Sequence, residues 1–396
     1  MALPQWRKNQ IAVTVSGAFL FFGYTLVMPF IPIYVRQLGI ESTAAIAFWS
    51  GLLISVSPLI ASFAGPVWGR LGDRIGMKLM ATRATAVNCV CWLLMGFATN
   101  VYHLLALRAL LGLLGGFNNV SVALITQLSP KEKVPSLIGT LQSVQILSAA
   151  LGPFIGGILA YSIGIRNTFF VTAVVNLGSF LSIFLLYRNV DREAEHAAAE
   201  SVAQPVSEEA RYWRRPEYFT ALSILFFVNM ADRTFPPIIP LFLEQLGTPA
   251  SRLAAVSGFL ISGAAFAEAF SAWMSGKLAS RITLRRLIMG RLILSIVVLV
   301  PMVFVHSTEQ FSILRVLLAL LAGGTLTLAL TAASHVIPGE HRGAGFGLLS
   351  GTSMLGGATG PLIAGAMAGF SIRSIFVFNA VVYLLMTGFV YRNVKH

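Results

Sequence analysis

The feature that most constrains this chain is an internal duplication. The segment Gly69–Lys78 (GRLGDRIGMK) returns as Gly276–Arg285 (GKLASRITLR), about two hundred residues later. The same offset relates three further pairs: Met28–Pro32 with Pro236–Pro240, Arg108 with Arg315, and Gly152-Pro153 with Gly360-Pro361. Repeated halves in an apolar chain are typical of secondary transporters, because two similar bundles can move against each other around a site at their interface.

The composition predicts an all-α integral membrane protein. Hydrophobic residues make up 56% of the 396 residues, charged residues make up 11%, and the mean hydropathy is +0.78. So little polar surface cannot cover a soluble globule of this length. We predict twelve spans, each long enough to cross a bilayer: 11–35, 45–67, 79–98, 102–127, 135–161, 167–187, 218–243, 253–276, 287–306, 310–333, 343–369 and 374–391.

The basic residues predict the orientation. With the N-terminus in the cytoplasm, most arginines and lysines fall in cytoplasmic loops, which satisfies the positive-inside rule. The arginines that fall on the other side are Arg36, Arg166, Arg252 and Arg373. Topology therefore explains the net charge of +13, and no nucleic-acid partner is expected. Both termini are predicted to be cytoplasmic.

The charge pattern also predicts the domain boundaries. The hydrophobic pattern breaks over residues 189–216, which are rich in acidic, basic and alanine residues. We interpret this segment as a solvated cytoplasmic linker. It separates a six-helix bundle at residues 1–188 from a second six-helix bundle at residues 217–396.

The loop after the second span has the residues of a gate. Gly69 and Gly76 permit a tight reversal, and Asp73 stands among the basic residues Arg74 and Lys78. A carboxylate there could dock onto the N-terminal end of another helix, for example the one that begins near Gly343, and release when the halves move. The alternative is a plain positive-inside anchor.

The fifth span carries a second candidate gate. Pro153 removes a backbone hydrogen bond inside the span, while Gly152, Gly156 and Gly157 allow another helix to approach closely. This segment could act as a bend or as a tight seal. The alternative is a proline kink with a packing role alone.

Ionisable residues inside the spans are the sharpest functional signal, because each is costly in hydrocarbon. Five lie deepest in the predicted spans: Arg108, Asp232, Arg233, Glu268 and Arg315. Counting at about 1.5 Å per residue places Asp232 at a depth where it could pair with one of the buried arginines. The same count puts Glu268 more than about 10 Å from Asp232 in depth, so the two should not share a proton directly. A carboxyl group without a partner suits a proton carrier, and Asp232, Glu268 and Arg108 are the predicted proton-coupling residues.

These motifs, taken in order, resemble those of the major facilitator superfamily, and within it the twelve-span drug:proton antiporters of the multidrug, tetracycline and fosfomycin-resistance type. The resemblance covers nearly the whole chain. It includes the loop at 69–78, Arg108 with Gly112 and Gly116 in span four, and the Gly152-Pro153 segment in span five. In the resembled family the span-five motif marks exporters, which favours efflux over uptake.

The resemblance also implies a central cavity formed by spans one, four, seven and ten. Aromatic rings with few amides suit a lipophilic ligand better than a sugar, and neutral or cationic lipophiles are the predicted substrates. The predicted substrate-binding residues, including two from span five, are Phe19, Phe22, Tyr24, Asn118, Asn119, Gln142, Gln145, Phe226, Asn229, Arg233, Phe235 and Arg315.

We therefore predict a proton-coupled exporter of lipophilic compounds that works by alternating access in the bacterial inner membrane. It is expected to act as a monomer surrounded by lipid, with the proton as coupling ion and no other cofactor. Within transport, the alternative is an exporter or importer of a metabolite, sugar or lipid. A membrane enzyme or receptor is the distant alternative, because no metal cluster, nucleophile with its base, or phosphate-binding loop is present in the sequence.

Overall fold

The protein is described by a computed structural model, which covers residues 4–128, 133–188, 215–279, 281–334, 336–337 and 342–393. Regular structure in these ranges is helical, and no strand occurs in them. Packing separates two compact units. The first comprises Met1–Met28 and Val56–Pro205, and the second comprises Pro29–Ser55 and Val206–His396.

Spans one to six follow the predicted order. Span one is kinked at a 3-10 turn, span four is broken into two helices, and span six ends in a π-helical turn. Their bounds are Gln5–Val27, Met28–Phe30 and Ile31–Gln37 (one), Thr43–Ile75 (two), Met77–Gly96 (three), Val101–Leu114 and Phe117–Leu128 (four), Val134–Ser162 (five), and Ile165–Leu181 with Ser182–Leu186 (six).

Spans seven to twelve repeat this pattern. Spans seven and ten are each divided in two, as spans one and four are. Their bounds are Pro216–Arg233 and Phe235–Gln245 (seven), Ala250–Leu278 (eight), Leu284–Met302 (nine), Thr308–Ala322 and Thr325–Ser334 (ten), Arg342–Ala368 (eleven), and Ile372–Asn393 (twelve).

The predicted all-α, twelve-span class is confirmed. Eight of the described segments are long and apolar enough to cross a membrane by length and composition alone. Spans four and seven are not among these eight because each is divided into shorter helices. Span seven is split at Thr234, and the first helix of span four, Val101–Leu114, is short but apolar. The protein is thus a multi-pass membrane protein.

Glycines set the close packing of span one on span five in the first unit. A side chain at Gly152 would collide with Thr25, and one at Gly156 would collide with the backbone carbonyl of Leu26. The predicted tight approach at this segment is therefore present, and the helix continues through Pro153. Gly157, the next residue, is also buried.

The second unit repeats that arrangement between spans seven and eleven. A side chain at Gly356 would meet the carbonyl of Phe226, and one at Gly360 would meet the carbonyl of Met230. Contact of this kind lets helix backbones approach without an intervening side chain, which strengthens van der Waals packing in a membrane. The sequence duplication is thus accompanied by the same close glycine contacts between spans one and five and between spans seven and eleven.

Paired glycines interrupt the central helices. Span four breaks at Gly115-Gly116, where Gly116 has a φ of +87° that favours glycine. Span ten breaks at Gly323-Gly324. The first helix of each span begins with a side-chain cap, because Asn100 accepts from the amide of His103 and Ser307 accepts from the amide of Gln310.

The predicted domain boundaries stay a prediction. Most of the linker at 189–216 lies outside the described residues, which resume at Arg215. Packing places residues 29–55, from the first repeat, with the second unit.

Candidate functional site

A narrow cavity lies inside the second unit at the break of span ten. It combines charged and phenolic groups with an apolar wall. Its lining residues are Val228, Asp232, Phe235, Glu268, Arg315, Leu318, Ala319, Ala322, Gly323, Leu326 and Tyr383. Two carboxylates and one guanidinium therefore meet in one small space, which spans seven, eight, ten and twelve enclose.

Asp232 and Arg315 form an ion pair in this cavity. The guanidinium Nη2 donates to Asp232 Oδ1 at 3.2 Å. Arg315 is 6% exposed, and its Cζ lies 4.3 Å from the ring centroid of Phe235. The aromatic face and the carboxylate together compensate the burial of this cation. The sequence expectation that Asp232 could pair with a buried arginine is confirmed.

Glu268 lines the same cavity as Asp232 and lies within electrostatic range of Asp232, Arg233 and Arg315. The expectation that depth separates the two carboxylates was therefore wrong. Residue counting assumed straight spans normal to the membrane. Span seven is instead divided at Thr234, and the span-ten break packs directly against Glu268.

Tyr383 of span twelve completes the polar wall, and sequence reasoning missed it. It is 2% exposed and lines the cavity with both carboxylates. A lone tyrosine in an apolar span gives no periodic or motif signal, so only the packing identifies it. Arg233, the predicted substrate-binding residue next to Asp232 on span seven, is exposed, and its side chain lies against Gly357 and Gly360 of span eleven.

In the first unit, Arg108 is almost fully buried at 1% exposure. Its Cζ lies 5.6 Å from the ring centroid of Tyr24, and the Ser57 hydroxyl donates to its backbone carbonyl. The structure thus brings Arg108 together with the predicted residue Tyr24. It does not bring Arg108 to either of the ion pairs found among the described residues.

A second cavity lies in the first unit between spans two, three and four. Its wall is made of small and apolar side chains, with Trp68 and Met77 as the only large ones. It carries no charged lining residue, so the two units differ in chemistry although their helices are repeated.

The other aromatic and amide residues predicted to bind substrate are scattered. In the first unit, Phe19 packs against Gly178 of span six, Gln145 lies beside Gly17, and Gln142 is exposed. Phe22 is half-buried. The side chains of Asn118 and Asn119 lie outside the described part of the chain.

In the second unit, packing within the bundle engages the predicted residues. The Asn229 amide donates to the carbonyl and the hydroxyl of Ser353, at 2.6 and 3.0 Å. Phe226 packs against the ring of Phe227. Phe235 is 1% exposed and serves as the aromatic surface beneath Arg315.

The loop between spans two and three turns at one residue. Gly76 has φ +100° and ψ 137°, and span two ends just before it at Ile75. Gly69 and Arg74 are exposed, and Lys78 is half-buried. The side chain of Asp73 and those of residues 342–344 lie outside the described part of the chain. The predicted docking of Asp73 onto the helix that begins near Gly343 therefore stays a prediction.

Comparison with known proteins identifies the family. The profile of the Major Facilitator Superfamily matches residues 13–308 and 253–396. The chain is 35% identical over 382 residues to the multidrug resistance protein MdtG of Enterobacter lignolyticus, covering 96% of this chain and 90% of that one. It is also 35% identical to MdtG of Citrobacter koseri, covering 96% and 93%.

Solved structures share the fold. A bacterial homologue of the human lysosomal transporter Spinster, in an inward-facing and unoccupied conformation, matches with a TM-score of 0.78 at 15% identity, over 99% of this chain and 97% of that one. The human organic anion transporter MFSD10 matches with a TM-score of 0.67 at 15% identity, over 98% and 100%.

Proposed function

Because the chain belongs to the major facilitator superfamily, whose members are secondary transporters, we propose that it exports lipophilic, drug-like compounds in exchange for protons. The similar MdtG proteins are named for multidrug resistance. The observation that carries the proposal is the meeting of Asp232 and Glu268 in one cavity of the second unit. Carboxyl groups at membrane depth are costly and mark ion or proton pathways.

The two carboxylates have different surroundings and therefore different roles. Asp232 is held by Arg315 in an ion pair. Glu268 takes part in neither ion pair of the described residues. We assign proton exchange to Glu268. The charges of Asp232 and Arg315 provide the electrostatic environment of Glu268 during that exchange.

The wall of the cavity supports a lipophilic ligand. Phe235, Leu318 and Ala319 supply apolar surface beside Glu268. A deprotonated carboxylate in such surroundings favours either a proton or a cationic ligand over an empty site. Neutral and cationic lipophiles are the substrates that this combination accepts, and release of one partner accompanies binding of the other.

The transporter acts as a monomer in the bacterial inner membrane with both termini in the cytoplasm. The basic loops support this orientation by the positive-inside rule. MdtG relatives from enteric bacteria support the compartment. Lipid is then its solvent and the compound is its only other partner, with the proton as coupling ion.

Transport in proteoliposomes tests the proposal. Purified protein is reconstituted, a pH gradient is imposed, and the accumulation of cationic dyes, antibiotics and sugars is compared with their downhill exchange. We expect gradient-driven accumulation of dyes and lipophilic antibiotics but not of sugars. Glu268→Gln should abolish accumulation and retain downhill exchange, because it removes the exchangeable proton and keeps the shape of the side chain.

Asp232→Asn should reduce both processes, because it leaves the buried Arg315 without its carboxylate. Full gradient-driven accumulation in both single variants and in the double variant would contradict the proposal. Accumulation of sugars alone would contradict the substrate class and leave the coupling intact.

A further inference from the structure

The break of span ten is pressed against Glu268. A Cβ atom at Gly323 would lie 2.6 Å from Glu268 Cγ and 2.7 Å from its Cα, so only glycine permits this contact. A side chain at the next residue, Gly324, would collide with the Ser275 hydroxyl and with the guanidinium of Arg291. Movement of Glu268 and movement of the span-ten break are therefore sterically linked.

Arg291 of span nine bridges the two sides of that contact. It is 7% exposed, and its Nη1 donates to Ser271 Oγ at 2.6 Å and to the Leu321 carbonyl at 3.0 Å. Its Nη2 donates to the Ser271 carbonyl at 3.4 Å. Ser271 lies one helical turn after Glu268, and Leu321 lies two residues before Gly323. One guanidinium thus joins span eight, close after Glu268, to span ten, close before its break.

The charge of Arg291 has no carboxylate of its own among the described ion pairs. A buried cation is costly in hydrocarbon unless hydrogen bonds compensate it. Hydrogen bonds from Arg291 to neutral oxygens on the two helices compensate this cost. One of these oxygens is the Leu321 carbonyl, which lies near the end of its helix, where carbonyl groups lack intrahelical donors. This arrangement positions helices, and Arg291 itself is not among the residues that line the cavity.

We propose that Arg291 is a positioning residue that holds the break of span ten against Glu268, so that the protonation state of Glu268 sets the conformation of span ten. This inference rests on the proposed role of Glu268. Arg315, which pairs with Asp232, stands eight residues before Gly323 on the same span. A shift at the break would therefore reach the second carboxylate along one helix.

The first unit offers a matched control. Arg83 of span three donates its Nη2 to the Gly115 carbonyl at 3.1 Å, at the break of span four, and its Cζ lies 3.4 Å from the ring centroid of Trp68. An arginine thus contacts the break in each unit. Arg83 and Arg291 are not exactly equivalent, because their offset in the sequence is one residue larger than that of Arg108 and Arg315. The position of span two that corresponds to Glu268 is Ala61, so this break faces no carboxylate there.

A proton titration without substrate tests the inference. Cys89 and Cys91, the chain's two cysteines, are replaced by alanine, and Thr327, exposed on the second helix of span ten, becomes cysteine labelled with bimane. Fluorescence is followed from about pH 5 to about pH 9. The groups facing Glu268 are Asp232 and Arg233 from span seven, Arg315 from span ten and Tyr383 from span twelve.

We expect a pH-dependent signal in the otherwise wild-type protein and its loss in Glu268→Gln. Arg291→Gln should reduce the amplitude about tenfold, because a charge-assisted hydrogen bond at each helix is lost. Arg291→Lys keeps the charge but cannot reach both helices, so it should also reduce the amplitude. Arg83→Gln should leave it unchanged.

Two outcomes would overturn the inference alone: a full signal in both Arg291 variants, or equal losses in the Arg291 and Arg83 variants. The absence of any signal at Thr327 would also overturn it, while the transport assay decides separately whether Glu268 couples protons. Downhill dye exchange by each variant shows that the variant is folded. If Arg291→Gln fails to fold, Arg291→Lys decides.

A different observation supports a second inference. Arg36 and Glu244 occupy equivalent positions of the duplicated segment, in Arg36-Gln37-Leu38-Gly39 and Glu244-Gln245-Leu246-Gly247. Both glycines have positive φ, at +93° and +89°, so the two turns have the same conformation. The guanidinium of Arg36 donates to both carboxylate oxygens of Glu244, at 2.5 and 2.6 Å.

The pair therefore joins the ends of spans one and seven at the point where two copies of one segment meet. Identical residues at both positions would repel, whereas this charge reversal turns the repeated segment into a complementary contact. Bidentate arginine–carboxylate geometry is the strongest form of such a pair. We infer that it is a clasp that closes this end of the two spans, on the face predicted to be periplasmic, and opens during each transport cycle.

Cysteine accessibility tests the clasp. Val35 is fully buried beside Arg36, and Val35→Cys in the cysteine-free protein reports parting of the two segments to a membrane-impermeant maleimide. Arg36→Glu and Glu244→Arg should each raise the labelling rate about two- to fivefold, the range expected for a partly exposed pair. The double exchange Arg36→Glu/Glu244→Arg should restore the low rate.

Arg252→Glu, the same charge change at an exposed arginine on the same predicted face, serves as the control and should leave the rate unchanged. Unchanged labelling in both single variants, or failure of the double exchange to restore it, would overturn the clasp.

Discussion

At the scale of single residues, the candidate site is formed by ionisable side chains that are costly to place in a membrane. Asp232, Glu268, Arg315 and Arg108 stood out because ionisable groups are rare in apolar spans. The structure brings the first three into one cavity. Tyr383 could not be found in this way, because a tyrosine costs little at membrane depth and its role depends on which helix it faces.

Amides and phenylalanines were the weakest part of the site prediction. Asn229 bonds to Ser353, and Phe19 lies against Gly178, so bundle packing engages both side chains. Such residues occur throughout membrane proteins, and their type does not distinguish a cavity wall from a helix contact. Only the rotation of each helix about its axis decides, and the sequence does not specify it.

Gly156 provides a residue-scale prediction. In Gly156→Ala the new methyl group would meet the Leu26 backbone, which cannot move without separating spans one and five. We expect a loss of about 1–3 kcal/mol in the free energy of unfolding, typical of overpacking. Thermal unfolding in detergent measures it.

Gly139→Ala is the matched control, since Gly139 lies on the same helix with nothing near its Cβ position. Alanine there should be neutral or stabilise by up to about 1 kcal/mol. Equal stability of the two variants would contradict the close helix approach.

At the scale of helices, the hydrophobic runs located all twelve spans, but they did not show where the helices break. Spans four and ten are interrupted at glycine pairs, and span seven is interrupted at Thr234. Glycine lowers helix propensity by only about 1 kcal/mol, so a glycine pair in an apolar run predicts a weak point and does not predict a break. Contacts with Arg83 and Arg291 stabilise the broken form, and these contacts are long-range.

The turn between spans two and three gives the prediction at this scale. Gly76 has φ +100° with open space around its Cβ position, so Gly76→Ala would cost backbone strain without a collision. We expect a loss of about 1–3 kcal/mol in stability. Gly69→Ala, in the preceding helix and equally unobstructed, should cause no loss. Equal unfolding temperatures for the two variants would show that the turn does not require glycine.

At the scale of the whole molecule, the duplication was the strongest sequence signal, and it appears again in the packing. Gly152 on Thr25 in the first unit corresponds to Gly360 on Arg233 in the second. What the duplication could not predict is where the halves differ. The second unit has a charged cavity and the first an apolar one, because Glu268 is replaced by Ala61 and Asp232 by Tyr24 at the same offsets.

This asymmetry leads to the central claim, that proton exchange belongs to the second repeat. Coupling requires that substrate movement in one direction drives proton movement in the other. Duplicated helices allow both repeats to move. The second repeat brings two carboxylates into a cavity, whereas the cavity between spans two, three and four has none in its lining.

The most direct measurement is proton movement driven by substrate. Proteoliposomes with a pH-sensitive dye inside are held at equal pH on both sides, and ethidium is added outside. We predict that the wild-type protein admits ethidium and releases protons, so that the interior becomes more alkaline, whereas Glu268→Gln admits ethidium with no change in interior pH. Ethidium entry without proton release in the wild type, or proton release that persists in Glu268→Gln, would contradict the account.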